Sequence, residues 1–100
     1  MATSDCQAAV LLPEVVLSWT PSPTADVTGY VILRGPSVSS LKYAGAVEGR
    51  TTTSYTDESV SGLNTTYWYE VEAVAGASSA RGGPVSVTTP SLCLSLGMPE

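Results

Sequence analysis

Apolar residues recur at every second position in several short runs, and turn residues separate these runs roughly every eight to twelve positions. The pattern predicts the short strands of an antiparallel sandwich, and no stripe at helical period competes with it. Because side chains alternate across a strand, Val15, Leu17 and Trp19 share one face while Val16 and Ser18 look outward. Trp19 is therefore the predicted core anchor. Over residues 29–35 the same alternation turns Tyr30 and Ile32 inward, with Val27 ahead of them, and leaves Val31 and Leu33 outside. The clearest alternation runs from 65 to 74, with Tyr67, Tyr69, Val71 and Ala73 inward and Trp68 and Val74 outward.

Punctuation residues divide the chain further. The run over 8–12 ends at Pro13, which has no N–H for a ladder and suits an edge strand or a break. Pro21, Pro23 and Asp26 force a reversal. Residues 40–47 predict a short strand holding Leu41 and Tyr43, and the Thr-rich stretch over 51–56 favours another. A polar crossing over 57–64 and a flexible hairpin loop over 76–83 follow, and the last strand turns Val85 and Val87 inward before Pro90. The expected organisation is a leader over 1–7, one domain over 8–90 and an apolar tail over 91–100. In that tail Leu92, Leu94 and Leu96 alternate and are too apolar to stand alone in water. They are expected to dock on the domain's own edge, on a neighbouring module or on another copy of the chain.

One hundred residues suffice for a single core. At 43% hydrophobic residues, with no apolar run near the length of about 18 that a membrane helix needs, the chain reads as neither a disordered tail nor a membrane insertion. Four Lys plus Arg against nine Asp plus Glu leave a net charge of -5, which repels a phosphate backbone, so nucleic acid is not an expected partner. There is no His and there are two Cys, which removes imidazole bases, Cys/His nucleophilic pairs and the common zinc clusters. No enzyme, cofactor or metal is expected. The first five residues carry no positive charge and lead into no signal-like apolar stretch, so no signal peptide is visible.

Four segments carry a family resemblance: Leu17-Ser18-Trp19, Gly29-Tyr30-Val31-Ile32-Leu33-Arg34, Thr53-Ser54-Tyr55-Thr56-Asp57, and Thr65-Thr66-Tyr67-Trp68-Tyr69-Glu70-Val71-Glu72-Ala73-Val74. In order and spacing, residues 8–90 resemble a fibronectin type III domain, in wording closest to bacterial versions found between modules of secreted enzymes and surface proteins. The resemblance implies an all-β, immunoglobulin-like sandwich of seven antiparallel strands. It also implies that Trp19 is the core tryptophan of the second strand and that the Tyr67 hydroxyl ties down the preceding crossing, with Val60 or Leu63 packed beneath. The sequence departs from the family in its Pro-broken first strand and in Leu63-Asn64-Thr65, which stands where Pro-Gly is usual. Integrin adhesion in this family uses Arg-Gly-Asp, whereas this chain has Arg34-Gly35-Pro36 and Arg81-Gly82-Gly83, so that function is not implied.

Candidate chemistry is sparse. Asp57 and Glu58 are adjacent, so their side chains point apart and read as turn caps rather than an acid/base pair. Glu70 and Glu72 share a face and could offer oxygens to calcium given a third ligand, but they read as a solvated face. Asn64-Thr65-Thr66 has the form of a glycosylation sequon, against whose use the bacterial resemblance argues. Lys42, the single lysine, is a candidate for an isopeptide bond only with a buried Asn and Glu beside it. The candidate interface is the outer sheet face with Val31, Leu33, Trp68 and Val74, with Tyr43 beside them.

Cys6 and Cys93 stand near opposite ends of the chain. In a regular sandwich the first strand starts at one pole and the last ends at the other, which separates the sulfurs beyond bonding range. A first strand of about five residues spans roughly 17 Å, however, and the residues after Pro90 can return about 10 Å. An intramolecular bridge is thus favoured over free thiols or links between chains, and it favours an exported location.

The expected role is a non-catalytic accessory, spacer or docking module of a larger secreted or cell-surface protein, with a carbohydrate-active enzyme as one such parent. Two other roles fit the residues. One is a module that binds a protein or a glycan through the Trp68 face or the loops 21–27 and 76–83. The other is a structural subunit of a virion tail or surface fibre that exchanges its C-terminal tail as a strand. The partners expected are neighbouring modules or another protein chain, with a glycan as the alternative, in an extracellular or cell-surface location.

Overall fold

The described residues form seven strands: β1 (Ala2–Cys6), β2 (Pro13–Ser18), β3 (Gly29–Gly35), β4 (Lys42–Glu48), β5 (Ser54–Asp57), β6 (Thr66–Ala75) and β7 (Ser78–Thr88). The computed structural model describes residues 2–7, 12–76 and 78–93, and among them there is no helix. Two antiparallel sheets form the layers, one in the order β1-β2-β5 and the other in the order β4-β3-β6-β7. Between them, Val15 and Leu17 of β2, Ile32 of β3, Tyr69 of β6 and Val60 of the crossing between β5 and β6 make the buried cluster. Fully burying an aliphatic side chain of this kind contributes about 1.5–3 kcal/mol, so these few positions carry much of the fold's stability.

Trp19 packs on this cluster but is only half-buried, because β2 ends at Ser18 and leaves the indole at the mouth of the sandwich. Its ring meets Tyr30 edge-on, with centroids 5.3 Å apart. Tyr67 and Val71 are likewise half-buried, whereas Val27, Tyr30, Ile32 and Tyr69 are buried.

The first strand lies earlier than the apolar run suggested. Residues 8–11 lie outside the described residues, and the first strand comes instead from the segment read as a leader. Ala2 to Cys6 pair with Leu17 to Pro13. Alternation could not reveal this strand, since Ala2, Ser4 and Cys6 offer no large apolar side chain, and backbone pairing holds it together with the Ser4 hydroxyl, which donates to the Glu14 carbonyl at 2.8 Å.

Residues 76–83, expected as a flexible loop, also differ. Gly76 turns the chain with φ +61°, and β7 begins at Ser78. Ser, Ala and Gly carry little strand propensity of their own. The strongly alternating β6 supplies a ladder for them, with Glu72 opposite Arg81 and Ala75 opposite Ser78. The ladder shifts register between Tyr69 and Val71, opposite Gly83 and the cis-linked Pro84.

Candidate functional site

Arg34 and Asp57 come from different sheets, β3 and β5, and both point inward by strand parity. The Arg34 guanidinium donates to Asp57 Oδ2 at 2.7 Å, and the Tyr69 hydroxyl of β6 donates to the same oxygen at 2.8 Å. The amide and hydroxyl of Ser59 donate to Oδ1 at 3.0 and 2.6 Å. Asp57 does cap the turn after β5, as expected, but it is also a buried ion-pair partner, 1% exposed. Burial pushes its carboxyl up, yet hydrogen bonds from Ser59, Arg34 and Tyr69 outweigh burial and hold it below the ordinary carboxylate range. Burial and the facing Asp57 carboxylate drive the Tyr69 phenol well above its usual value. All of this polarity is spent on joining the sheets. The sequence held one unused signal for the cluster: Arg34 shares the inward parity of Tyr30 and Ile32, and a buried guanidinium needs a buried carboxylate.

The candidate interface lies on the opposite face of the four-stranded sheet. Val31 sits between Ala46 and Glu72, Leu33 between Tyr43 and Glu70, and Trp68 between Gly35 and Ser86. A register shift between Ile32 and Leu33 brings Tyr43, rather than Ala44, opposite Leu33. Without that bulge Tyr43 would face the core. Leu33 is almost covered at 8% exposure and Tyr43 is open at 68%, while Val31, Trp68 and Val74 are half-buried. The face is therefore an apolar strip, Trp68–Leu33–Tyr43 with Val31 beside it, separated along β6 from Val74 by Glu70 and Glu72. Glu70 is engaged by Arg81 at 3.3 Å.

The other features weighed in the sequence are placed as follows. No group of three metal-ligating side chains occurs among the described residues. Lys42 is exposed on β4 and Asn64, the single asparagine, is exposed before β6, so the partners of an isopeptide bond are not assembled. The loop over 21–27 is tied down: the Tyr30 hydroxyl accepts the Ser22 amide at 2.8 Å and donates to the Arg50 carbonyl at 2.6 Å, while Arg50 donates to the Ser22 carbonyl at 2.9 Å.

Cys6 and Cys93 form a disulfide with Cα atoms 5.6 Å apart. The route differs from the one expected. Cys6 ends β1 instead of preceding the first strand, and both β1 and β7 end at the same pole, so both sulfurs lie there. At this pole the Tyr67 hydroxyl accepts the Gly62 amide, five residues upstream, at 3.1 Å. Val60 rather than Leu63 is the buried residue of the crossing; Leu63 is 38% exposed. Asn64 holds φ +50° and its amide reaches the Pro90 carbonyl at 2.8 Å, which locks the crossing onto the end of β7.

Three strands facing four match a solved architecture. The solution structure of a fibronectin type III domain derived from the human KIAA0970 protein superposes with a TM-score of 0.63 over 97% of this chain and 74% of that one, at 18% identity. This is the fibronectin type III fold. No family model and no curated protein matches the chain. Within the fibronectin type III framework, Arg34, Asp57 and Tyr69 are internal braces, and Trp68 and Tyr43 stand on the other face of the four-stranded sheet.

Proposed function

We propose that this chain is a non-catalytic docking module of a larger extracellular or cell-surface protein, and that it contacts a neighbouring module or another protein chain through the outer face of its four-stranded sheet. The observation that carries this reading is the strip Trp68–Leu33–Tyr43 with Val31, which the β4 bulge assembles on the side away from the core. Aromatic and aliphatic side chains on one face with charged neighbours, here Glu70, Glu72 and Arg81, are compatible with the composition of a protein interface. The disulfide supports an oxidising location. The loops at 21–27 support a binding role less well, since their backbone polar groups are already used internally, and 78–83 is strand.

Sedimentation velocity over a concentration series, paired with 15N spectra, tests the face. Association that broadens the signals of Val31, Trp68 and Tyr43, and that is lost in Trp68→Ser with the fold intact, supports docking through this strip. Association that broadens other residues, or strictly monomeric behaviour at millimolar concentration, removes this face from the reading and leaves a spacer.

A further inference from the structure

At the pole away from the disulfide, a cleft of about 420 Å³ opens between the sheets, with Leu17, Trp19, Ser22, Tyr30, Val71 and Gly82 in its walls. Small-molecule sites occupy roughly 300–1,000 Å³, so the cleft has the size of one. Gly82 keeps it open. That residue pairs with Val71 outside the left-handed region, and a Cβ built on it would meet nothing nearer than the Val71 carbonyl at 3.9 Å. The facing wall is held in place, because the Tyr30 hydroxyl accepts the Ser22 amide and donates to the Arg50 carbonyl. The ties that occupy the backbone of the 21–27 loop thus preform the cleft beside it.

The rim carries a cation. Arg50 donates from Nη1 to the Ser22 carbonyl at 2.9 Å, which sets its guanidinium one residue behind the cleft wall. The two other arginines are neutralised, Arg34 by Asp57 at 2.7 Å and Arg81 by Glu70 at 3.3 Å. Arg50 has no carboxylate partner among the described residues, in a chain whose net charge is -5. Its planar fork, with N–H groups still to be used, matches a carboxylate arriving from outside.

We propose that the cleft binds a small aryl carboxylate, with the ring between the sheets beside Trp19 and Tyr30 and the carboxylate on the Arg50 guanidinium. A flat ring makes offset and edge contacts with these two aromatic side chains that an alkyl chain does not. The absent side chain of Gly82 gives that ring its room. This site is separate from the Trp68 strip, which lies on the outer side of the sheet, so the two readings stand or fall independently.

The test titrates the full, oxidised, 15N-labelled chain with 2-naphthoate and, as a neutral match, with 2-naphthalenemethanol. The naphthoate is expected to shift the Trp19 indole N–H and the Arg50 Nε–H together, while the Trp68 indole stays in place. Trp19 Nε1 has no hydrogen-bond partner among the described residues, so no internal bond masks a change around it. Arg50→Gln should weaken naphthoate binding about tenfold and leave the alcohol unaffected, and Arg50→Lys should restore part of the difference. Gly82→Leu fills the cleft and should abolish binding of both probes with the rest of the spectrum retained. A Trp19 signal that does not move overturns the proposal. So do equal affinities for acid and alcohol, binding that survives Gly82→Leu, or a Trp68 indole that shifts in step with the probe, which assigns the ligand to the outer face.

Discussion

The Asp57 carboxylate and the Tyr69 hydroxyl meet at 2.8 Å inside the sandwich, one from each sheet, with Arg34 on the same oxygen at 2.7 Å. Removing Asp57 strands a guanidinium and a buried phenol at once. Asp57→Ala is expected to cost about 3–5 kcal/mol, as for other buried ion pairs that lose one partner. Tyr69→Phe, which removes one hydrogen bond to a charged group, should cost about 1.5–3 kcal/mol. Urea unfolding checks both, and a loss below about 1 kcal/mol for Asp57→Ala would show that the cluster does not brace the sheets.

The same cluster sets a pH window. Asp57 is held below the ordinary value of about 3.9 at which it titrates when unfolded, so its contribution is present above that pH and is lost as pH falls through the lower folded value. Tyr69 is shifted the other way, so its contribution is complete below about pH 10 and is lost as pH rises beyond it. Tyr55, raised mainly by burial, adds to the alkaline side. Melting temperature is thus expected to be flat between about pH 5 and pH 9 and to fall on either side. Asp57→Asn should lower the plateau and reduce the acid limb, and Tyr69→Phe should reduce the alkaline limb without abolishing it.

The disulfide closes a sequence separation of 87 residues around a first strand none of whose residues is fully buried. The chain-entropy relation for a loop of this size predicts a loss of about 4–5 kcal/mol on reduction or in the Cys6→Ser/Cys93→Ser variant. Hydrogen exchange should locate the loss first in Ala2 to Cys6. Intact mass rising by about two daltons on reduction confirms the bridge chemically, and two titrating thiols in the untreated folded protein would refute it.

The two tryptophans are expected to part company. Trp19→Ala opens the mouth of the core and removes the edge-on contact with Tyr30, for a cost of about 3 kcal/mol, near the lower end for aromatic truncation because the ring is half-buried. Trp68→Ser leaves the core untouched and should change stability by less than about 1 kcal/mol. Equal losses at the two positions in chemical unfolding would mean that the outer strip is structural rather than an interface.

By itself the sequence determined the sandwich and the inward faces of Val15, Leu17, Tyr30, Ile32 and Tyr69, because strand parity is a local property; the role of Tyr67 was legible only through the family resemblance, and the cysteine pairing, 87 residues apart, only as the favoured one of several arrangements. Parity also placed Trp68 and Val31 on one outward face. Only the tertiary structure decided the rest. It recruited the polar segment from Ala2 to Cys6 as the edge strand and turned the Gly-rich stretch from Ser78 into ladder, because a strand's partner can supply what its own residues lack. The β4 bulge sent Tyr43 outward against the unbroken alternation. Arg34, Asp57 and Tyr69 met although 23 and 12 residues separate Asp57 from its two partners, since facing sheets bring together residues whose polar character alone names no mate.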